Sequence, residues 1–592
     1  MVSLNSEQDL GLGAVMAGPL HSHAALEAAG DRPPEALTLR EPDYVMRLAR
    51  LGSFHQTRLS FMRVLLRRLR AEKWQADRPR WRVDAKGEGI AVYRVRGNGR
   101  TYSLVCFAHD LDPAKRSDRV IADEWDATFA LHDGDASDET IERLARNVPL
   151  QEAGRYTAQE IVLSRANKSV RLFEHVVSRL RQGAQPDPAE IERVGYLMRT
   201  TAVYGGGKFG LSDRERIANR PEFAGPFSAE MLAIWLIRAF TVDLAEHMAH
   251  VQAPVTATRL DKAIRRHLGV GNSTGLGMAP FLFNHQVLLD HWISARETAL
   301  ARVRALRSAS ADRVSAFRDY IARARYHASQ WRVADEIQSA RIAALEADLA
   351  LLEDHLATGV LDGTRPWDTL FTWAQDRLSV EGQEFLVTLM IEPYGDLVDD
   401  LANTMAADEE RDFPIDGDMR LGTLRDLVRK HYAFAFGIDF SRPATQARFW
   451  YVSEEKLEPR LGERYEEPGA DREQPLTIAR DVIALNDALV GWEGKETVAT
   501  FLMAFPEFRH VVRRIQTTGR RPYAEIRDNL IDAAVRPIDL LRCKLSFFGA
   551  TRFDPKSDRW VRIVMYQHAP FPDELHSSEP DDWALPPIDE WH

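Results

Sequence analysis

Cysteine is scarce in this chain: Cys106 and Cys543 are the only two among 592 residues. A disulfide-stapled scaffold is excluded, and so thin a supply fits a reducing, cytoplasmic setting. Long hydrophobic runs are also missing. The most apolar stretch, Met231 to Ile237, is cut at Arg238, far short of the ~20 residues that cross a bilayer. The N-terminus lacks the basic-then-apolar pattern of a secretory signal. No membrane partner is therefore expected. A strong excess of one charge is absent as well. The formal net charge is -11, with 28% charged residues, which favours solubility and gives no reason to expect nucleic acid. The sequence shows no nucleophile elbow, zinc-finger spacing, kinase signature or fixed-period repeat.

What is present is enough apolar material, 45% of residues, for roughly three to five ordinary domains or one large helical body. Residues 1–40 are rich in Gly, Ala, Ser and Pro and read as a loose arm. Residues 41–135 read as one unit. A basic helix with Leu59, Met62, Leu66 and Leu69 on one stripe precedes strands that alternate around Gly97-Asn98-Gly99, a strong hairpin signal. Residues 136–410 read as a helical body. Ser228 is the expected N-cap of a helix buried over its first half. Ile342, Leu345, Leu349, Leu352 and Leu356 form a 3-4-3-4 seam suited to antiparallel pairing within the chain. Residues 411–592 mix short helices and loops and end in a hairpin after Cys543. The expected class is thus mainly α, with a small N-terminal antiparallel sheet and a short C-terminal β-hairpin, α+β overall.

Two glycine runs lie in the helical body. "GVGNSTGLGMAP", residues 269–280, is expected to be a loop between helices. Its Gly271, Asn272, Ser273, Thr274 and Gly275 offer backbone freedom and short polar side chains just before a helix start, a setting that binds anions. The competing reading is a close helix–helix crossing. "YGGGKFG", residues 204–210, lacks the Ser or Thr that a P-loop needs after its lysine. Within it, Lys208 can neutralise an anion and Tyr204 can donate a proton. A third stretch, residues 448–469, combines adjacent aromatics with charges, and Tyr451 and Arg460 are its candidate ligand contacts.

Asp243, His247 and His250 fall at i, i+4 and i+7 on one helix and match the residue types of a non-haem iron site. The polar end of an amphipathic helix explains them with fewer assumptions, so no metal or other cofactor is expected. Residues Arg58 to Arg70 form an arginine-rich segment that could track phosphates, but its leucine stripe marks an ordinary amphipathic helix. The functional expectation is a cytosolic enzyme acting on a small anionic metabolite, bearing carboxylate or phosphate, by acid–base chemistry. Tyr204 and Lys208 would be its catalytic pair. The alternatives are a helical binding or assembly protein, with homo-oligomers formed through the long helices, and a metal-dependent oxygenase built on Asp243, His247 and His250.

Overall fold

The computed structural model describes residues 37–112, 124–149, 157–200, 217, 220–272, 282–283, 285–331, 336–405, 414–441, 449–452, 459–462, 478–528, 537–555, 561–577, 581 and 583–586. Asn98 and Gly99 take positive φ, 52° and 72°, the geometry of a tight hairpin turn. They join β2 (Gly89–Gly97) to β3 (Arg100–Ala108). β1 (Gln75–Val83) and β4 (Ala127–Asp133) flank that pair, all antiparallel. Pro79 sits in the irregular part of β1, between Asp77 and Arg80. That strand is a sheet edge, where a missing N–H donor is tolerated.

The expectation of a small sheet fails beyond this point. β5 (Glu160–Lys168), β6 (Tyr196–Thr200) and β7 (Gly269–Asn272) continue the same sheet within the segment expected to be helical. A separate two-stranded sheet pairs β8 (Phe449–Val452) with β9 (Pro459–Gly462). The C-terminal hairpin forms as expected from β10 (Ala550–Pro555) and β11 (Val561–Met565). It is not a separate element, because β11 pairs with β7. The result is one nine-stranded mixed sheet, ordered β1-β2-β3-β4-β5-β6-β7-β11-β10, curled as a half-barrel. Only the β6–β7 pairing within it is parallel.

Burial on both faces explains why β5 and β6 escaped a search for alternation: β5 is buried along nearly its whole length and β6 throughout. Val92, Val105, Ala130 and Leu163 pack with Ile141, Leu144 and Val148 on one side. Tyr93, Leu104, Phe129 and Val162 face the main core on the other.

The helix Ser228–Gln252 lies against that second face and is buried on nearly every side. Ser228 is its first residue rather than its N-cap. Phe227, at φ 55°, holds the cap position, and Ser228 Oγ donates to the Gly225 carbonyl at 2.8 Å. Arg238 on this helix has no solvent exposure. Its guanidinium donates to the Leu268, Ala569 and Arg266 carbonyls at 2.6–2.8 Å and stacks on Phe571. These bonds pin the chain entering β7 and the chain leaving β11, so "GVGN" is held as a strand.

The Glu336–Leu356 helix buries Ile342, Leu345, Leu349, Leu352 and Leu356, as its seam predicts. It runs antiparallel to Ala311–Ser329: Arg318 reaches the Leu356 carbonyl while Arg325 pairs with Glu353. A second hydrophobic core gathers the helices Leu421–His431, Ala479–Leu489, Val498–Ala504 and Arg509–Arg520. It is tied to the first by a buried network in which Arg514 pairs with Glu525, while Tyr432 and Gln286 converge on Thr518. Among the described residues no helix is long and apolar enough to cross a membrane.

The glycines of β7 have a packing role. A Cβ on Gly271 would lie 2.8 Å from the Tyr196 ring of β6, and one on Gly269 would lie 2.5 Å from the Met565 carbonyl oxygen of β11. Two chains approach this strand more closely than any side chain permits. Gly271→Ala is therefore expected to lower stability by about 1–3 kcal/mol through overpacking. Urea unfolding checks this, and an unchanged midpoint would show that Tyr196 does not rest on the strand.

Candidate functional site

Seven residues of the Phe61–Ala71 helix are buried, among them Met62, Leu65, Leu66 and Leu69, so the apolar stripe anchors it to the core. The same helix carries arginines at 63, 67, 68 and 70. Arg63, Arg67 and Arg70 follow the i, i+4, i+7 spacing of one helix face. The helix ends without using these side chains. Glu72 N–H donates to the Arg68 carbonyl and Trp74 N–H to the Leu69 carbonyl, each at 2.9 Å. Beside this end lies a cleft of about 670 Å³. Its polar lining includes Arg58, Arg67, Arg68, Arg70, Glu72, Asp399, Asn403 and Asp581, and its apolar lining includes Val64, Leu66, Ala402, Pro570, Leu575 and Trp583.

The arginines fall into two groups. Arg58 binds Asp399 through two bonds, 2.7 and 2.9 Å. It reaches Asp399 across Gly395, where a Cβ would lie 2.5 Å from the Arg58 Cζ. Arg63, fully buried, holds Glu392 through two 2.7 Å bonds and Asp581 at 3.0 Å. Arg67 pairs with Asp581 and donates to the Arg58 carbonyl at 2.6 Å. Three guanidiniums thus meet three carboxylates and the group is neutral. His55 Nε2 lies 3.9 Å from Glu392. Burial, then the charges of Arg63 and His327, push this histidine well below its usual range, so it stays neutral.

Arg68 and Arg70 form the second group. Among the described residues neither has an ion-pair partner. Arg68 Nη2 donates to the neutral Asn403 Oδ1 at 3.0 Å. Burial lowers its pKa, and the charges of Glu72 and Glu222 offset only part of that effect. Arg58 behaves in the opposite way: burial lowers it, yet the bonds to Asp399 leave it raised. Desolvation without a hydrogen-bonded carboxylate among the described residues distinguishes Arg68 from Arg58. Glu72 is the carboxylate of the cleft that no arginine bonds. Its Oε2 accepts from Trp74 Nε1 at 2.8 Å and Asn98 Nδ2 at 2.7 Å, while Oε1 takes no hydrogen bond among the described residues.

The described lining of this cleft includes none of the candidate site residues singled out from the sequence. Tyr204, Lys208, Ser273, Thr274 and Gly275 are outside the described residues. Gly271 and Asn272 belong to β7, opposite Val564 and Ile563 of β11, so the first third of the expected loop is a sheet strand between two neighbours. Tyr451 and Arg460 sit opposite each other across β8 and β9, a hairpin in a stretch that showed no strand period.

Asp243 accepts from Arg78 at 2.7 Å and from the Tyr93 hydroxyl at 2.5 Å, His247 Nε2 donates to the Val83 carbonyl at 2.7 Å, and His250 is exposed. Among the described residues no group of three His, Cys, Asp or Glu side chains is arranged to hold a metal. The arginine-rich segment was visible in the sequence. Its partners Asp399 and Asp581 lie more than 300 residues away, and no local pattern connects them. Comparison with protein-family models, curated proteins and solved structures finds no match.

The Asp581 carboxylate is the keystone of the neutral group. Burial alone would raise its pKa, but Arg63, Arg67 and Arg58 more than offset this and hold it below the usual aspartate range. A depressed folded-state pKa contributes stability that is complete above the unfolded value near ~4 and is lost as pH falls through the folded value. Asp581→Asn is expected to cost about 3 kcal/mol at pH 7, because it strips a buried guanidinium of a charge partner. The variant should also lose less stability than the parent on acidification below pH ~4. Denaturant unfolding between pH 2.5 and 7 checks both. A parallel pair of stability curves would contradict the assignment.

Proposed function

We propose that this protein binds a small carboxylate- or phosphate-bearing metabolite in the cleft at the end of the Phe61–Ala71 helix. The observation that carries the reading is the pairing pattern. Arg58, Arg63 and Arg67 are neutralised from within the chain, whereas Arg68 and Arg70 line the cleft with no ion-pair partner among the described residues. A guanidinium presents a planar fork of donors matched to carboxylate and phosphate, and partial burial strengthens such a bond. The volume, about 670 Å³, lies in the range of pockets that take metabolite-sized ligands. Glu72 is the group in this cleft that fits a general base, which keeps acid–base chemistry on such a ligand within the proposal.

Calorimetric titration with citrate and with inorganic phosphate at low salt tests the reading. The parent should bind at least one of them, and Arg68→Gln should weaken binding about 10-fold or more through loss of a charge-assisted bond. Arg70→Gln should act in the same direction, while Lys208→Met should leave affinity unchanged. Loss of binding in Lys208→Met, or full binding in an Arg68→Gln, Arg70→Gln double variant that melts like the parent, would move the site elsewhere.

A further inference from the structure

The cleft holds more than positive charge. Glu72 stands one helical turn beyond Arg68 and lines the same cavity, and its Oε1 is an acceptor without a donor among the described residues. Oε2 is fixed by Trp74 Nε1 and Asn98 Nδ2. Trp74 stacks on Tyr102, with ring centroids 5.9 Å apart, and its carbonyl accepts from His576 Nε2 at 2.6 Å. The Glu72 carboxylate is therefore held by the buried Trp74 indole and by the exposed Asn98 amide of the hairpin turn. The other two carboxylates of the lining, Asp399 and Asp581, are consumed by Arg58, Arg63 and Arg67. Leu575 and Trp583, from the C-terminal part of the chain, supply apolar lining. A ligand that fits this arrangement needs three features together.

Resting on the anion-binding reading above, we infer that the ligand is an organic acid with an apolar body and an N–H or O–H donor next to its anionic group, as in an amino acid or a hydroxy acid. The anion sits on Arg68 and Arg70, and the neighbouring ammonium or hydroxyl donates to Glu72 Oε1. The apolar body lies against Leu575 and Trp583. A plain inorganic anion can still sit on Arg68 and Arg70, but it leaves Glu72 Oε1 without a donor and therefore binds more weakly than a donor-bearing acid. A bulky carboxylate without the donor would desolvate Glu72 with nothing in return.

Calorimetry with three probes of equal carbon skeleton separates the possibilities: 3-phenylpropionate, 3-phenyllactate and phenylalanine. At least one donor-bearing probe should bind about 10-fold more tightly than 3-phenylpropionate to the parent protein. Glu72→Gln, which keeps an amide oxygen in place for Trp74 and Asn98, should erase that preference while 3-phenylpropionate binds as well as before or better. Thermal melting of the variant confirms that the fold is intact. Equal binding of all three probes, lost in Arg68→Gln, would overturn the inference and leave the anion-binding cleft standing. Failure of every probe, together with citrate and phosphate, would overturn both. A preference that survives Glu72→Gln in a protein that melts like the parent would also overturn the assignment of Glu72.

Discussion

Burying the Arg63 guanidinium would cost several kcal/mol if it stood alone, and Glu392 and Asp581 close it off on either side. That interaction joins three distant parts of the sequence: the basic helix, the turn after the Val380–Met390 helix, and the C-terminal segment. Removing any one member leaves a buried charge without its partner. The arrangement therefore specifies how these parts meet, even where its net contribution to stability is modest. Arg58 and Arg67 extend it outward to Asp399 and Asp581. The cleft is the outer end of this ion lattice, where Arg68 and Arg70 stand beside Glu72 with no ion-pair partner among the described residues.

A similar device organises the sheet. Arg238 is fully buried with carbonyl oxygens as its acceptors and the Phe571 ring beneath it. Burial, reinforced by the charges of Arg266 and Arg265, lowers its pKa well below the usual guanidinium value. Peptide dipoles, not a countercharge, hold it in place. In return it fixes β7 between β6 and β11, which brings the C-terminal hairpin into the same sheet as the N-terminal strands. The termini of the described chain are thereby stitched together twice, once through backbone hydrogen bonds and once through the Arg63 cluster.

Local pattern carried the sequence reading a fair distance. The Asn98-Gly99 turn, the Met62, Leu66 and Leu69 part of the basic helix's stripe (Leu59 precedes the helix), the 342–356 seam and the final hairpin each depend on spacing within a dozen or so residues, and each is present. The larger sheet was illegible for a physical reason. β5 and β6 are covered on both faces, so neither alternates, and β7 has Val270 as its one large apolar residue. Its glycines read as loop freedom, although their function is to let Tyr196 and Met565 come close. The cleft was half legible. Four arginines on one short helix were plain, but which of them are neutralised depends on Glu392, Asp399 and Asp581, whose approach is a property of the tertiary fold alone.

The central claim is that Arg68 and Arg70 are the cations this cleft holds ready for a ligand. The most direct measurement is a crystal structure of the parent protein soaked in tungstate, a phosphate-shaped dianion whose anomalous scattering locates it without ambiguity. The account predicts an anomalous peak within hydrogen-bonding distance of the Arg68 and Arg70 guanidiniums, with Arg58, Arg63 and Arg67 still bound to their carboxylates. A peak seated instead on residues 273–280 or beside Lys208, with none in the cleft, would contradict it.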